Sequence, residues 1–72
     1  MKAVVAIGAD PRLDGFALAG VRVLAAGTGA EVEEAWAALG PDVGLIILSA
    51  AAATTLEPVL DDRPDVLTVV LP

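Results

Sequence analysis

Two apolar runs near the start of this chain, Ala3-Val4-Val5-Ala6-Ile7-Gly8 and Val21-Arg22-Val23-Leu24-Ala25-Ala26, stand only a short connection apart. Between them lies Asp14-Gly15-Phe16-Ala17-Leu18-Ala19-Gly20, which leaves room for roughly one and a half turns of helix. Both runs have the continuous apolar character of strands buried on both faces, so they are expected to lie parallel. A parallel pair needs a crossover, and here the crossover has to be very short. Gly15 and Gly20 offer a way to do it: without a Cβ they can turn sharply and bring the helix close to the sheet. The spacing predicts Asp14 as the helix N-cap, with Phe16 and Leu18 facing inward.

Two more runs complete a pattern of four strands. Val43-Gly44-Leu45-Ile46-Ile47-Leu48 is the third and Val66-Leu67-Thr68-Val69-Val70-Leu71 the fourth. Between the second and third, Val32, Ala35, Trp36 and Leu39 recur at i, i+3, i+4 and i+7 and share a helix face. Glu31, Glu33 and Glu34 occupy its first turn, where the helix dipole favours negative charge, and Gly40-Pro41 stops it. Between the third and fourth runs, Ser49 can cap a helix, but Pro58 in a helix interior would cost about 3 kcal/mol. A weakly helical stretch over 50–54 and a helix over about 55–62 resolve the conflict, because Pro58 then falls among first-turn amides that lack partners. Leu56, Val59 and Leu60 are expected to face the sheet, and Asp61, Asp62 and Arg63 to face water.

Alternation of strand and helix with right-handed crossovers predicts a three-layer α/β domain. Its four-stranded parallel sheet should have order 2-1-3-4, as in doubly wound, flavodoxin- or receiver-like folds. At 72 residues the chain makes one domain, spanning 1–72. A chain of this size buries only about 60 % of its unfolded surface, so a partner that covers apolar area would help it.

Composition narrows the chemistry. Ten acidic against four basic residues give a net charge of −6, which disfavours nucleic acid and anionic membrane as partners. The chain has neither Cys nor His, which removes thiolate chemistry, the commonest general base and the commonest metal ligand. A small enzyme is therefore the weakest of the functional readings. No segment approaches the roughly 20 apolar residues of a membrane span, and a cytoplasmic location is expected. Gly27-Thr28-Gly29 is half of a dinucleotide fingerprint, but Val32 stands where the third glycine belongs, and no glycine leads into a Lys-Ser or Lys-Thr. These residues read as a strand-to-helix turn. Trp36 reads as core, with an exposed interface anchor as the alternative.

The order of these motifs resembles the F subunit of the rotary V/A-type ATPases. Val5, Ala6, Ile7, Gly8 and Asp10 match the family's first strand and loop, and Gly15, Phe16, Leu18, Ala19, Gly20 and Val21 match its Gly-Phe-x-Leu-Ala-Gly segment. Glu31, Glu33, Glu34 and Ala35 match the acidic second helix, and Asp42, Val43, Gly44, Ile46, Ile47 and Leu48 the third strand. The stretch from Val66 to Pro72 matches the fourth strand, so the likeness runs along nearly the whole sequence. Ala17 departs from a position that is often basic, and the family continues past the fourth strand into a C-terminal helical segment that this sequence lacks beyond Pro72. The resemblance implies a non-catalytic central-stalk subunit that binds the coiled-coil D subunit and other stalk subunits. Such a subunit helps couple ATP hydrolysis or synthesis to ion transport, and it needs no catalytic residue, cofactor or metal. The interface it suggests comprises Gly15, Phe16, Leu18 and Gly20 with Val69 and Leu71 of the fourth strand. That strand carries no charge and is an edge in the 2-1-3-4 order, so self-association through it is a second expectation.

A receiver-like regulatory binding module without a phosphorylation site is the alternative. Receivers use clustered acids after the first strand and an aspartate after the third. Here Asp10 has only Asp14 near it in sequence, and Ser49 takes the second place.

Overall fold

The structure, a computed structural model, describes residues 2–72. It contains β1 (Ala3–Gly8), a 3₁₀ helix (Pro11–Ala19), β2 (Arg22–Ala25), α1 (Gly29–Ala37), β3 (Val43–Leu48), α2 (Ala50–Leu56), a second 3₁₀ helix (Glu57–Asp62) and β4 (Leu67–Val70). The strands form one all-parallel sheet in the order β2-β1-β3-β4, as the alternation of elements predicts. β4 is shorter at each end than the apolar run suggests, although the Leu71 N–H still donates to Leu48 O at 2.9 Å.

Register divides the side chains between two faces. Val5 pairs with Ile46 and Ile7 with Leu48, and all four are buried in the main core with Val32 of α1 and Ala52 and Leu56 of α2. Leu24, Ala35, Trp36, Leu39, Val59 and Leu60 pack around them. α1 and α2 therefore share one layer and touch each other. Leu13 and Ala6, also buried, lie outside that cluster, and the first 3₁₀ helix packs on β1 and β2 from the other side.

The first crossover differs from the expectation in where it starts and how it winds. Asp10, not Asp14, is the N-cap: its side chain accepts from the Arg12 N–H at 2.9 Å, and Pro11 follows at a position where a missing N–H is harmless. The helix is 3₁₀ over nine residues. At about 2.0 Å of rise per residue it spans roughly 18 Å, against about 13 Å for the same residues as α-helix. A six-residue strand is about 20 Å long, so the wider rise lets a short crossover return the chain along β1. The period of three also changes the inward face. Leu13 and Phe16 fall on one row, with Leu13 buried and Phe16 half-buried, while Leu18 is 94 % exposed instead of facing inward. Gly20 closes the helix in the left-handed region at φ 87°, with its N–H on Ala17 O and the Val21 N–H on Phe16 O. Gly15 has neither a positive φ nor any neighbour within 4 Å of where a Cβ would stand, so the crossover does not depend on it.

The segment after β3 also departs from expectation. Ala50–Leu56 is regular α-helix, because Ser49 caps it and four alanines, the best helix formers, lead it. The chain then tightens to 3₁₀, and Pro58 sits in the first turn of that segment, where its missing donor costs little. Arg63 does not face water. It is half-buried and donates to Leu39 O at 3.3 Å and Gly40 O at 2.8 Å, closing off carbonyls beyond the end of α1.

β1 and β3 approach closely at their carboxyl ends. A Cβ on Gly8 would collide with the Ser49 Oγ and stand 2.6 Å from the Ser49 Cβ, and Gly8 has φ 149°. Gly8→Ala is therefore expected to destabilise the fold by about 2 kcal/mol or more. Leu56→Ala should cost about 2–5 kcal/mol and Leu18→Ala less than about 0.5, all read from urea denaturation midpoints.

Candidate functional site

Two surfaces bear on function. The first is the crevice at the carboxyl ends of the strands, where open α/β sheets hold ligands. Loops after β1, β2 and β3 enclose a cleft of about 440 Å³ there, lined by Asp10, Gly27, Thr28, Ser49 and Thr55 among others. Each of these polar groups is engaged within the chain. The Ser49 Oγ accepts from the Ala52 N–H at 3.2 Å. The Thr28 Oγ1 accepts from the Glu31 N–H at 3.2 Å, and the Glu31 carboxylate reaches back to the N–H groups of Gly27 and Thr28 at 3.0 and 3.2 Å. That reciprocal capping box fixes the start of α1 and gives the Gly27-Thr28-Gly29 turn a structural role. The Thr55 hydroxyl donates to Ala51 O at 3.2 Å.

Asp10 is held by Arg12, whose Nη2 lies 2.7 Å from its Oδ2 and also donates to Pro72 O at 2.8 Å. This guanidinium ties the loop after β1 to the chain beyond β4. The side-chain hydrogen bond from Arg12, with the Arg12 backbone N–H adding to it, holds the Asp10 carboxyl below the usual aspartate range. Among the described residues no group of three or more His, Cys, Asp or Glu is placed to hold a metal ion, and no buried side-chain N or O lacks a hydrogen-bond partner.

The second surface is the sheet face under the first 3₁₀ helix. That helix lies over β1 and β2. Register puts Leu45 beside Leu67 and Ile47 beside Val69 on the half formed by β3 and β4. Leu67 is 73 % and Val69 48 % exposed, so this half of the face is open.

The residues suggested by sequence fall on both halves. Leu18 stands out from the helix, Phe16 is half-buried beneath it, and Gly15 and Gly20 are exposed along its course. Val69 lies on the open half, and Leu71, half-buried, continues the pairing of β4 with β3. These two groups share a side of the sheet but sit over different strands, so they do not form one continuous patch. The sequence reading missed Leu67, the most exposed large apolar side chain of the sheet. Its signal was parity: within an edge strand, Leu67 and Val69 must point the same way.

No helix among the described residues is long and apolar enough to cross a membrane. Comparison with protein-family models, with curated proteins and with solved structures finds no match to this chain.

The Asp10–Arg12 pair has a pH signature. A carboxyl whose value is lowered by folding stabilises the fold above the ordinary aspartate range near about 4 and loses that contribution as pH falls through the lowered value. Asn also caps helices, so Asp10→Asn isolates the charge. The variant should be slightly less stable than the parent at pH 7 and converge with it in strong acid. The gap should shrink with salt, since the pair is at the surface. Urea midpoints across pH measure it.

Proposed function

We propose that this chain is a non-catalytic docking body, and that its role is that of a central-stalk rotor subunit in a V/A-type ATPase. In that role it binds the coiled-coil D subunit, sits in the cytoplasm peripheral to the membrane, and helps couple ATP hydrolysis or synthesis to ion transport. The contribution is mechanical. A compact α/β wedge seats against the shaft, and no side chain takes part in covalent chemistry.

The observation that carries this reading is the exposure of Leu18. The Gly-Phe-x-Leu-Ala-Gly segment resembles a motif of the family, yet its leucine is 94 % exposed and does nothing for this chain's own core. With Leu67 and Val69 also exposed on the same side of the sheet, this leucine belongs to an apolar side that is available for contact with another protein. The parallel order β2-β1-β3-β4 is consistent with the likeness along the rest of the sequence. In the carboxyl-end cleft the polar groups described above are occupied with caps and turns, which favours the apolar side of the sheet over the cleft as the surface offered to a partner.

Co-expression with a D-type coiled-coil subunit tests this. A 1:1 complex is expected, and Leu18→Asp should weaken it by about tenfold or more while the circular dichroism spectrum stays unchanged. A chain that ignores the coiled coil at about 100 µM, and instead binds a small anion beside Asp10, would favour the receiver-like regulatory module.

A further inference from the structure

We propose that Asp14–Gly15, in the middle of the first 3₁₀ helix, is a self-modification site, at which the main chain isomerises from aspartyl to isoaspartyl through a succinimide. The inference concerns this chain alone and does not depend on the rotor assignment.

The chemistry needs an aspartate followed by an unhindered backbone N–H. The Gly15 nitrogen attacks the Asp14 Cγ, a C–N bond forms, and the hydroxyl of the acid form leaves as water with the amide proton. Water then adds back across the bond between that nitrogen and the main-chain carbonyl carbon of Asp14, which breaks. The nitrogen stays on Cγ, so the main chain now runs through Cβ and Cγ. The water released in the first step returns in the second, and no cofactor, oxidant or other reactant enters.

Sequence admits one such site. The chain has no asparagine, and its aspartates are Asp10, Asp14, Asp42, Asp61, Asp62 and Asp65. Asp10 precedes Pro11, which has no N–H to attack with. Asp42 and Asp65 precede the β-branched, buried Val43 and Val66, and Asp61 and Asp62 precede residues with long or charged side chains. Asp14 alone precedes a glycine. The structure leaves that pair free. Both residues are exposed, and no neighbour stands within 4 Å of where a Gly15 Cβ would be. Asp10 is held by Arg12, whereas the Asp14 carboxylate joins no hydrogen bond or ion pair among the described residues.

The winding decides whether the ring can close. Helical backbone at Asp14 keeps Cγ off the line of attack, so the turn has to open first. A 3₁₀ helix has poorer hydrogen bonds than an α-helix and rarely runs beyond about four residues, yet this one runs for nine with a glycine in its interior. Leu13 is its one buried residue, and it precedes the site. Opening from Asp14 onward therefore uncovers little apolar surface, the condition under which a segment loosens without global unfolding. The product differs mechanically from the parent. An extra main-chain carbon falls between Leu13 and Phe16, the two residues that the period of three sets on one row, and the crossover loses its fit along β1.

Peptide mapping of the folded chain, held for weeks at physiological temperature and neutral pH, reads this. Trypsin cuts after Arg12 and Arg22 and releases Leu13–Arg22, in which Asp14 is the only acid. A second form of that peptide is expected, equal in mass, shifted in retention and labelled by isoaspartyl methyltransferase. Gly15→Ala should slow its appearance by about fivefold, because alanine favours the helix over its opened form and puts a Cβ beside the attacking nitrogen. Asp14→Glu should abolish it, since a glutamate would have to close a six-membered ring. Both positions are exposed, and circular dichroism should stay unchanged. A folded chain that remains unconverted overturns the proposal, and parallel incubation in denaturing urea shows whether the helix is what protects it. Label outside Leu13–Arg22 overturns it too, as does a converted fraction with the urea midpoint of the parent. None of these results measures binding, so their failure is distinct from a failure to bind the coiled coil.

Discussion

Everything in this small domain depends on bringing β2 back alongside β1 with very little chain. Parallel pairing obliges the backbone to travel the full length of a strand in reverse before the next strand begins. The stretched rise of a 3₁₀ helix covers that distance within nine residues, and Asp10, Pro11 and Gly20 fix its two ends. The same winding decides which side chains turn inward. With three residues per turn, Leu13 and Phe16 line up against the sheet and Leu18 is left on the outside. A solution to a problem of length has thus produced the most exposed large apolar side chain in the described molecule.

The thinness of that first crossover also shapes the rest of the surface. On the far side of the sheet, α1, α2 and the second 3₁₀ helix supply a full layer and most of the core. On the near side, one slender helix covers only half of four strands. The asymmetry shows in the charges as well: six of the ten acids lie on the helices of the thick layer, and β1, β3 and β4 carry no charge. The rotor reading starts from this division, with the exposed leucine as the side chain that would meet a coiled coil.

The carboxyl-end crevice makes the opposite point. It sits where a doubly wound sheet would hold a ligand, and two helices begin there. Yet Thr28, Glu31, Ser49 and Thr55 all spend their hydrogen bonds on the backbone around them. Short loops explain this. With few residues between strand and helix, the side chains that line the cleft are the same ones needed to cap the helices.

Sequence by itself determined the four strands, their parallel order and the course of α1, because continuous aliphatic runs and a clean 3.6-residue period are local signals. It also held the Asp10-Pro11 cap and the capping box of Thr28 and Glu31, though neither was read from it. Tertiary structure alone decided the winding of the first crossover, since 3₁₀ and α-helix differ little in local preference and the span along β1 chose between them. It likewise decided that Arg63 turns back onto Leu39 and Gly40, and that Leu45, Ile47, Leu67 and Val69 share an open half-face. Those outcomes require knowing what lies across from each residue, and no local pattern of amino acids carries that information.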